Sequence, residues 1–186
     1  MKSGILIVSC IIFSMTAYNV GLRAKERHGI KVSCPIFQIV TDKTTYSGGE
    51  WLHLKLIVTN NGESSLYVSR EMGFCSGPTG FAVVEILDQF DRQHGRLGCS
   101  ADGAPETDAE LLELMGNSKF WIQLRPGEVY GQELRYELPL GQGTYRIRAN
   151  LLPAGFSDKQ SALLLQKGIH VLGSSCSAAE VTISVR

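Results

Sequence analysis

Trp51 to Thr59, WLHLKLIVT, alternates its side chains with a period of two. An α-helix would scatter that pattern around its circumference, whereas a half-buried β-strand places it on two clean faces. Leu52, Leu54, Leu56 and Val58 fall on one face; Trp51, His53, Lys55, Ile57 and Thr59 fall on the other. Gly48-Gly49 leads into the run and Asn60-Asn61-Gly62 follows it. Asn-Gly is suited to the positive φ values of a tight hairpin. The chain is therefore expected to return beside this strand as Ser65 to Arg70.

Further runs of strand composition recur between turn signals: Pro35–Val40, Gly80–Asp88, Lys119–Leu124, Val129–Leu138, Gly143–Leu152 and Glu180–Val185. Thr41 to Glu50 reads as a turn. Pro126-Gly127, in RPGE, suits the centre of a type II turn. Ser161 to Gly173 is ambiguous between a short helix and a hairpin about Lys167-Gly168. One helix is well signalled: Thr107-Asp108-Ala109-Glu110 forms a capping box, the Leu111/Leu112/Leu114/Met115 group follows, and Gly116 is placed to end it in a left-handed conformation. That helix is expected to lie over an open end of the fold. Seven to nine short strands with one helix in a long loop describe an all-β, two-sheet antiparallel sandwich. With 186 residues, 44% of them hydrophobic, one domain is expected, over residues 34–186.

The N-terminus differs in character. Lys2 precedes an apolar run from Ile5 to Leu22, so residues 1–24 read as a signal peptide or membrane anchor, and residues 25–33 as a charged linker. IVSC, ending at Cys10, imitates a lipoprotein cleavage box with too short an apolar segment before it. Arg23, Lys25 and Arg27 would hold an uncleaved chain's domain in the cytoplasm. The cysteines point the other way: Cys34, Cys75, Cys99 and Cys176 are even in number, scattered and free of CxxC pairs, as disulfides of an oxidising compartment are. The expectation is an exported protein, periplasmic, secreted or N-terminally anchored, touching a membrane only through that segment.

A local pattern adds a resemblance. YSGGE at Tyr46–Glu50, VTNN at Val58–Asn61, LRPGE at Leu124–Glu128 and GTYRIRA at Gly143–Ala149 occur in that order. The series resembles bacterial immunoglobulin-like modules, including the BsuPI-like family named for an intracellular proteinase inhibitor. It spans roughly Ile36 to Leu152. The resemblance implies an immunoglobulin-like sandwich and a tyrosine corner at Tyr145, whose phenol bonds to backbone a few residues upstream. First and last strands of such sandwiches are parallel neighbours, which implies a Cys34–Cys176 bridge; Cys75 and Cys99 flank one strand, and their pairing follows as the second. The export-like segment and the four cysteines set this chain apart from the inhibitor, and no inhibitory residue carries over.

Little in the chain announces chemistry. Lys+Arg and Asp+Glu both total 18, without any like-charge block, so no basic stripe is present for nucleic acid. His28, His53, His94 and His170 are isolated, and GSSCSAAE (Gly173–Glu180) contains no GxSxG elbow. Cys75, His94 and Cys99 with Asp88, Asp91 and Asp102 match no metal-loop spacing, and solvated acids with a disulfide explain them with less. Neither a metal, a cofactor nor catalysis is expected. The place for recognition is the stretch Gln89 to Ser118, with His94, Arg96, Asp102 and Glu106 as candidate binding residues. The reading is a non-catalytic binding module of a bacterial cell envelope whose partner is another envelope or extracellular protein. The alternatives are a proteinase inhibitor of the BsuPI-like type and a hydrolase built on a sandwich.

Overall fold

The computed structural model describes residues 34–72, 82–98, 105–137 and 140–186. The N-terminal segment, the linker, Cys75, Cys99 and Asp102 lie outside them. In chain order the elements are β1 (Ile36–Thr41), β2 (Thr45–Tyr46), β3 (Trp51–Thr59), β4 (Leu66–Ser69), β5 (Ala82–Asp88), β6 (Gln93–Leu97), α1 (Asp108–Gly116) and β7 (Trp121–Leu124). There follow β8 (Val129–Glu137), β9 (Gly143–Leu151), α2 (Asp158–Gln166), β10 (His170–Val171), β11 (Cys176–Ser177) and β12 (Val181–Val185).

These elements build an all-β immunoglobulin-like sandwich. One layer is the antiparallel sheet β1-β3-β8; the other runs β2-β12-β9-β5-β6, with β11 paired to β9. β3 alternates outward and inward as its sequence pattern requires, and Leu52, Leu54, Leu56 and Val58 are buried. They meet Val84, Ile86, Ile147, Ala149 and Ile183 of the opposite layer, with Phe37, Ile39 and Leu134 completing the near wall. Removing a fully buried leucine from such a core costs about 2–5 kcal/mol. Tyr145 O–H donates to Gly141 C=O at 3.0 Å, closing the corner before β9.

Three local readings are corrected. First, β4 does not pair with β3: it pairs with β7 and β10 in a small separate sheet. Neither Asn61 nor Gly62 takes a positive φ, and the segment carries the chain from the β1-β3-β8 layer into the small sheet. Its organiser is Asn60, only 3% exposed. Asn60 Nδ2 donates to Ser64 C=O and Leu124 C=O, both at 2.8 Å, and Oδ1 accepts from Gly62 N–H at 3.0 Å. A second crossover, β7 to β8, passes the same point: Asn60 N–H donates to Glu128 C=O, and Gly127 N–H to Asn60 C=O. Gly127 supports it with φ +80°, the positive value a type II turn needs at that position.

Second, Gln89–Ser118 is not one loop. β6 occupies part of it and pairs antiparallel with β5 across a bulge at Ile86/Leu87. Gln-His-Gly-Arg-Leu carries almost no strand propensity, so pairing alone makes it a strand. Glycine is required at Gly98, where φ is +93° and a Cβ would lie 2.4 Å from Ala82 O; at Gly95 a Cβ would sit 2.8 Å from Tyr136 Oη and push that side chain aside. Third, Thr41–Glu50 contains β2, which runs parallel to β12 through Thr45↔Ser184 and Tyr46↔Val185. The first strand thus changes layers before the chain enters β3.

α1 has the expected box, Thr107 Oγ1 accepting from Glu110 N–H and Glu110 reaching back. Gly116, however, is its last helical residue, and Asn117 caps it in an extended conformation. α2 resolves the ambiguous segment, because Ser157 and Gln160 form a second box. Both helices lie on the small sheet rather than over an open end. That sheet is two-faced: Leu66, Val68 and Leu124 enter the main core. Its other side gives Tyr67 and Trp121 to a second cluster with Leu111, Met115 and Leu164.

Cys34 and Cys176 are disulfide-bonded with Cα atoms 5.6 Å apart across a sequence separation of 142. A closure this long restricts the unfolded chain by about 3–5 kcal/mol. The paired Cys34→Ser/Cys176→Ser variant is expected to lose that amount in chemical denaturation. Asn60→Ala leaves Leu124 C=O and Ser64 C=O without their donor, and is expected to cost about 2–4 kcal/mol, read as a fall in Tm with no change in the native circular dichroism spectrum.

Candidate functional site

Two surfaces gather unusual side chains. At one end of the sandwich, the β5–β6 turn is built around Asp88, which is buried. Its Oδ1 accepts from Phe90 N–H at 2.8 Å and Arg92 N–H at 3.0 Å; its Oδ2 accepts from Arg92 Nε at 2.8 Å and meets His94 Nε2 at 3.0 Å. Backbone bonds between Asp88 and Arg92, and from Asp91 to Asp88, complete the turn, and Asp91 pays for it with φ 62°. The His94 bond, followed by the N–H groups of Arg92 and Phe90, holds the Asp88 carboxyl well below the usual carboxylate range, against the burial that opposes it.

The His94 ring stands edge-on to Tyr145 at 5.5 Å. Gln142, Gly143 and Thr144 close an open hollow of about 500 Å³ around these groups. The arrangement fixes a ring and a turn. Among the described residues, no hydroxyl or thiol is hydrogen-bonded to His94. Asp88 has its acceptor capacity filled by the turn itself.

The second surface is the outer face of β1-β3-β8. Register places Ile36 beside Thr59 and Thr59 beside Val129; Gln38 beside Ile57 and Gly131; Val40 beside Lys55 and Glu133. His53 then faces Arg135, and Trp51 faces Glu137. The described residues include five exposed large apolar side chains, and four of them, Ile36, Val40, Trp51 (52% exposed) and Val129 (60%), stand on this one face. Phe90 is the fifth. Near the centre Val40, Asp42, His53, Lys55, Glu133 and Arg135 border a shallow depression of about 590 Å³. Exposed apolar side chains at both ends of one sheet face, with mixed charge between them, mark it as a candidate contact surface.

The residues singled out in the sequence are dispersed. His94 and Arg96 sit on β6; Glu106 precedes α1, where its N–H donates to Glu110 Oε2. Tyr145 is at its corner, and Cys34 and Cys176 are joined. Among the described residues, no group of three or more His, Cys, Asp or Glu is arranged to hold a metal ion. The outer-face residues escaped notice as a group. Their signal was present, because Trp51 and Ile57 interrupt the polar phase of β3. Only sheet pairing brings Ile36, Val40 and Val129 alongside.

No protein-family model matches the chain, so the proteinase-inhibitor resemblance rests on its motifs alone. No curated protein matches either. Solved structures are similar in fold. The CARDB domain of the PF1109 protein from Pyrococcus furiosus, solved in complex with di-metal ions, is 13% identical over 85% of this chain and 94% of its own, with a TM-score of 0.41. The sporulation control protein Spo0M of Bacillus subtilis is 13% identical over 83% of this chain and 50% of its own, at 0.42. The C-terminal domain of Wzt is 11% identical over 81% and 70%, at 0.41. Identity and overlap this low transfer no ligand, activity or partner.

Asp88 ties acid stability to this geometry. A carboxyl whose folded pKa is lowered stabilises the fold above its ordinary value of 3.8 and loses that contribution as pH falls below it. Tm measured from pH 6 to pH 2 is therefore expected to fall more steeply for the wild type than for Asp88→Asn, whose curve starts lower and is flatter.

Proposed function

We propose that this chain is a non-catalytic interaction module working outside the cytosol, in a bacterial cell envelope, and that it binds another protein through the outer face of β1-β3-β8. The observation that carries the reading is the gathering of Ile36, Val40, Trp51 and Val129 on that face. Leaving them in water forgoes about 25 cal/mol for each Å² of apolar surface a partner could cover. The neighbouring charges decide what kind of partner fits. Lys55, His53 and Arg135 alternate with Glu133, Glu137 and Asp42, and the whole chain carries equal numbers of acidic and basic residues. Such a surface creates no field for a polyanion. It suits a protein surface that itself mixes apolar side chains with charges of both signs.

The Cys34–Cys176 bond supports that compartment, since disulfides persist where thiols are not kept reduced. Among the described residues, no helix is long and apolar enough to cross a membrane.

The test is capture of a partner from envelope extract on immobilised wild-type protein and on Trp51→Lys/Val129→Lys. A protein held by the wild type is expected to bind the double variant about tenfold or more weakly, because a charge then replaces each apolar anchor. Phe90→Ser, at the remaining exposed apolar site, should retain it. Equal binding by the face variant, or loss only with Phe90→Ser, would place recognition elsewhere.

A further inference from the structure

We infer that two copies of this chain associate edge to edge through β8, antiparallel about a two-fold axis at Leu134, to form one continuous six-stranded sheet. The inference concerns the strand edge, and it stands or falls independently of what covers the outer face.

Hydrogen-bond parity defines the edge. Asn60 N–H donates to Glu128 C=O, and Asp42 N–H donates to His53 C=O. Even-numbered residues of β3 therefore bond to β8 and odd-numbered ones to β1, as alternation along a strand requires. In register with them, Tyr130, Gln132, Leu134 and Tyr136 turn their backbone groups into the ladder. Val129, Gly131, Glu133, Arg135 and Glu137 turn theirs away from it. Among the described residues β8 pairs with β3 alone, so these five residues present a row of donors and acceptors. All five are exposed. A nine-residue strand left in this state is a template for another strand.

Charge selects which strand. With the axis at Leu134, Glu133 lies opposite Arg135 of the second copy and Arg135 opposite its Glu133, while Gly131 and Glu137 pair in the same way. Four residue pairs then exchange about eight backbone hydrogen bonds, and both charged cross-strand contacts are between opposite signs. Neighbouring registers are worse. An axis at Glu133 sets that carboxylate against itself. An axis at Arg135 opposes two guanidinium groups and sets Glu133 against Glu137. An axis at Gln132 keeps four hydrogen-bonded pairs but brings no opposite charges together, and one at Tyr136 joins Arg135 to Glu137 through only two pairs within β8. The axis at Leu134 combines four pairs with opposite charges, as an isologous interface needs.

Sedimentation equilibrium of the full chain in mild detergent tests this. The wild type is expected to dimerise. Glu133→Arg places arginine against Arg135 at both contacts, and Arg135→Glu places glutamate against Glu133; each should weaken association about tenfold or more. The double swap Glu133→Arg/Arg135→Glu restores opposite signs and should restore the dimer. Both positions of this cycle are exposed surface charges, and circular dichroism will report whether each variant is folded. A wild-type monomer at about 100 μM, well above the range of specific assembly, would overturn the inference. So would a dimer whose constant is unchanged by either single swap, or a double swap that fails to recover.

Discussion

Asn60 is the point on which the joining of the sheets depends. The chain passes between the β1-β3-β8 layer and the small β10-β4-β7 sheet twice at one place, from β3 to β4 and from β7 to β8, and each passage takes backbone groups out of a ladder and into the interior. An unpaired buried carbonyl or N–H costs about 1–3 kcal/mol, so two adjacent crossovers would be expensive without a common partner. The Asn60 amide supplies it, donating to Leu124 and Ser64 and accepting from Gly62, while its backbone bonds to both sides of the Gly127 turn. Fixing those ends also fixes the start of β8 against β3, and hence which side chains share the outer face.

Much of this fold was legible because alternation is a local property. β3 could be read in full from WLHLKLIVT, and most of the long strands show the same composition. Pairing was not legible. Asn60-Asn61-Gly62 has the chemistry of a hairpin, yet the amide of Asn60 bonds forward to Gly62 in a turn that needs no positive φ, and it reaches Leu124, sixty-four residues on. β6 was hidden for the opposite reason: Gln93 to Leu97 has no intrinsic preference for a strand, and only Val84, Glu85 and Ile86 beside it impose one. Ser157 and Gln160 did carry a readable helix signal, the same box as at Thr107, which resolves a segment whose interior is equivocal.

The candidate site divides along the same line. Trp51 and Ile57 stand in the wrong phase of an otherwise polar face, a local clue. Ile36 and Val129 lie far off in sequence and come next to Ile57 only through register, both sitting beside Thr59, while Trp51 stands at the other end of the same face. The Asp88 turn was likewise invisible, since its hydrogen bonds join residues two, four and six positions apart in a pattern that no short motif records. Its carboxylate is consumed by structure, whereas the outer face is apolar surface for which the fold itself has no use.

The bond between Cys34 and Cys176 also determines how the domain bears load. Tension applied to the two ends of the chain passes from one cysteine to the other through covalent links, bypassing everything between them. Among the described residues after Cys176, β12 is held on both sides, parallel to β2 and antiparallel to β9. The strands between Cys34 and Cys176, and the surfaces displayed on them, are thus shielded from tension that enters through either cysteine.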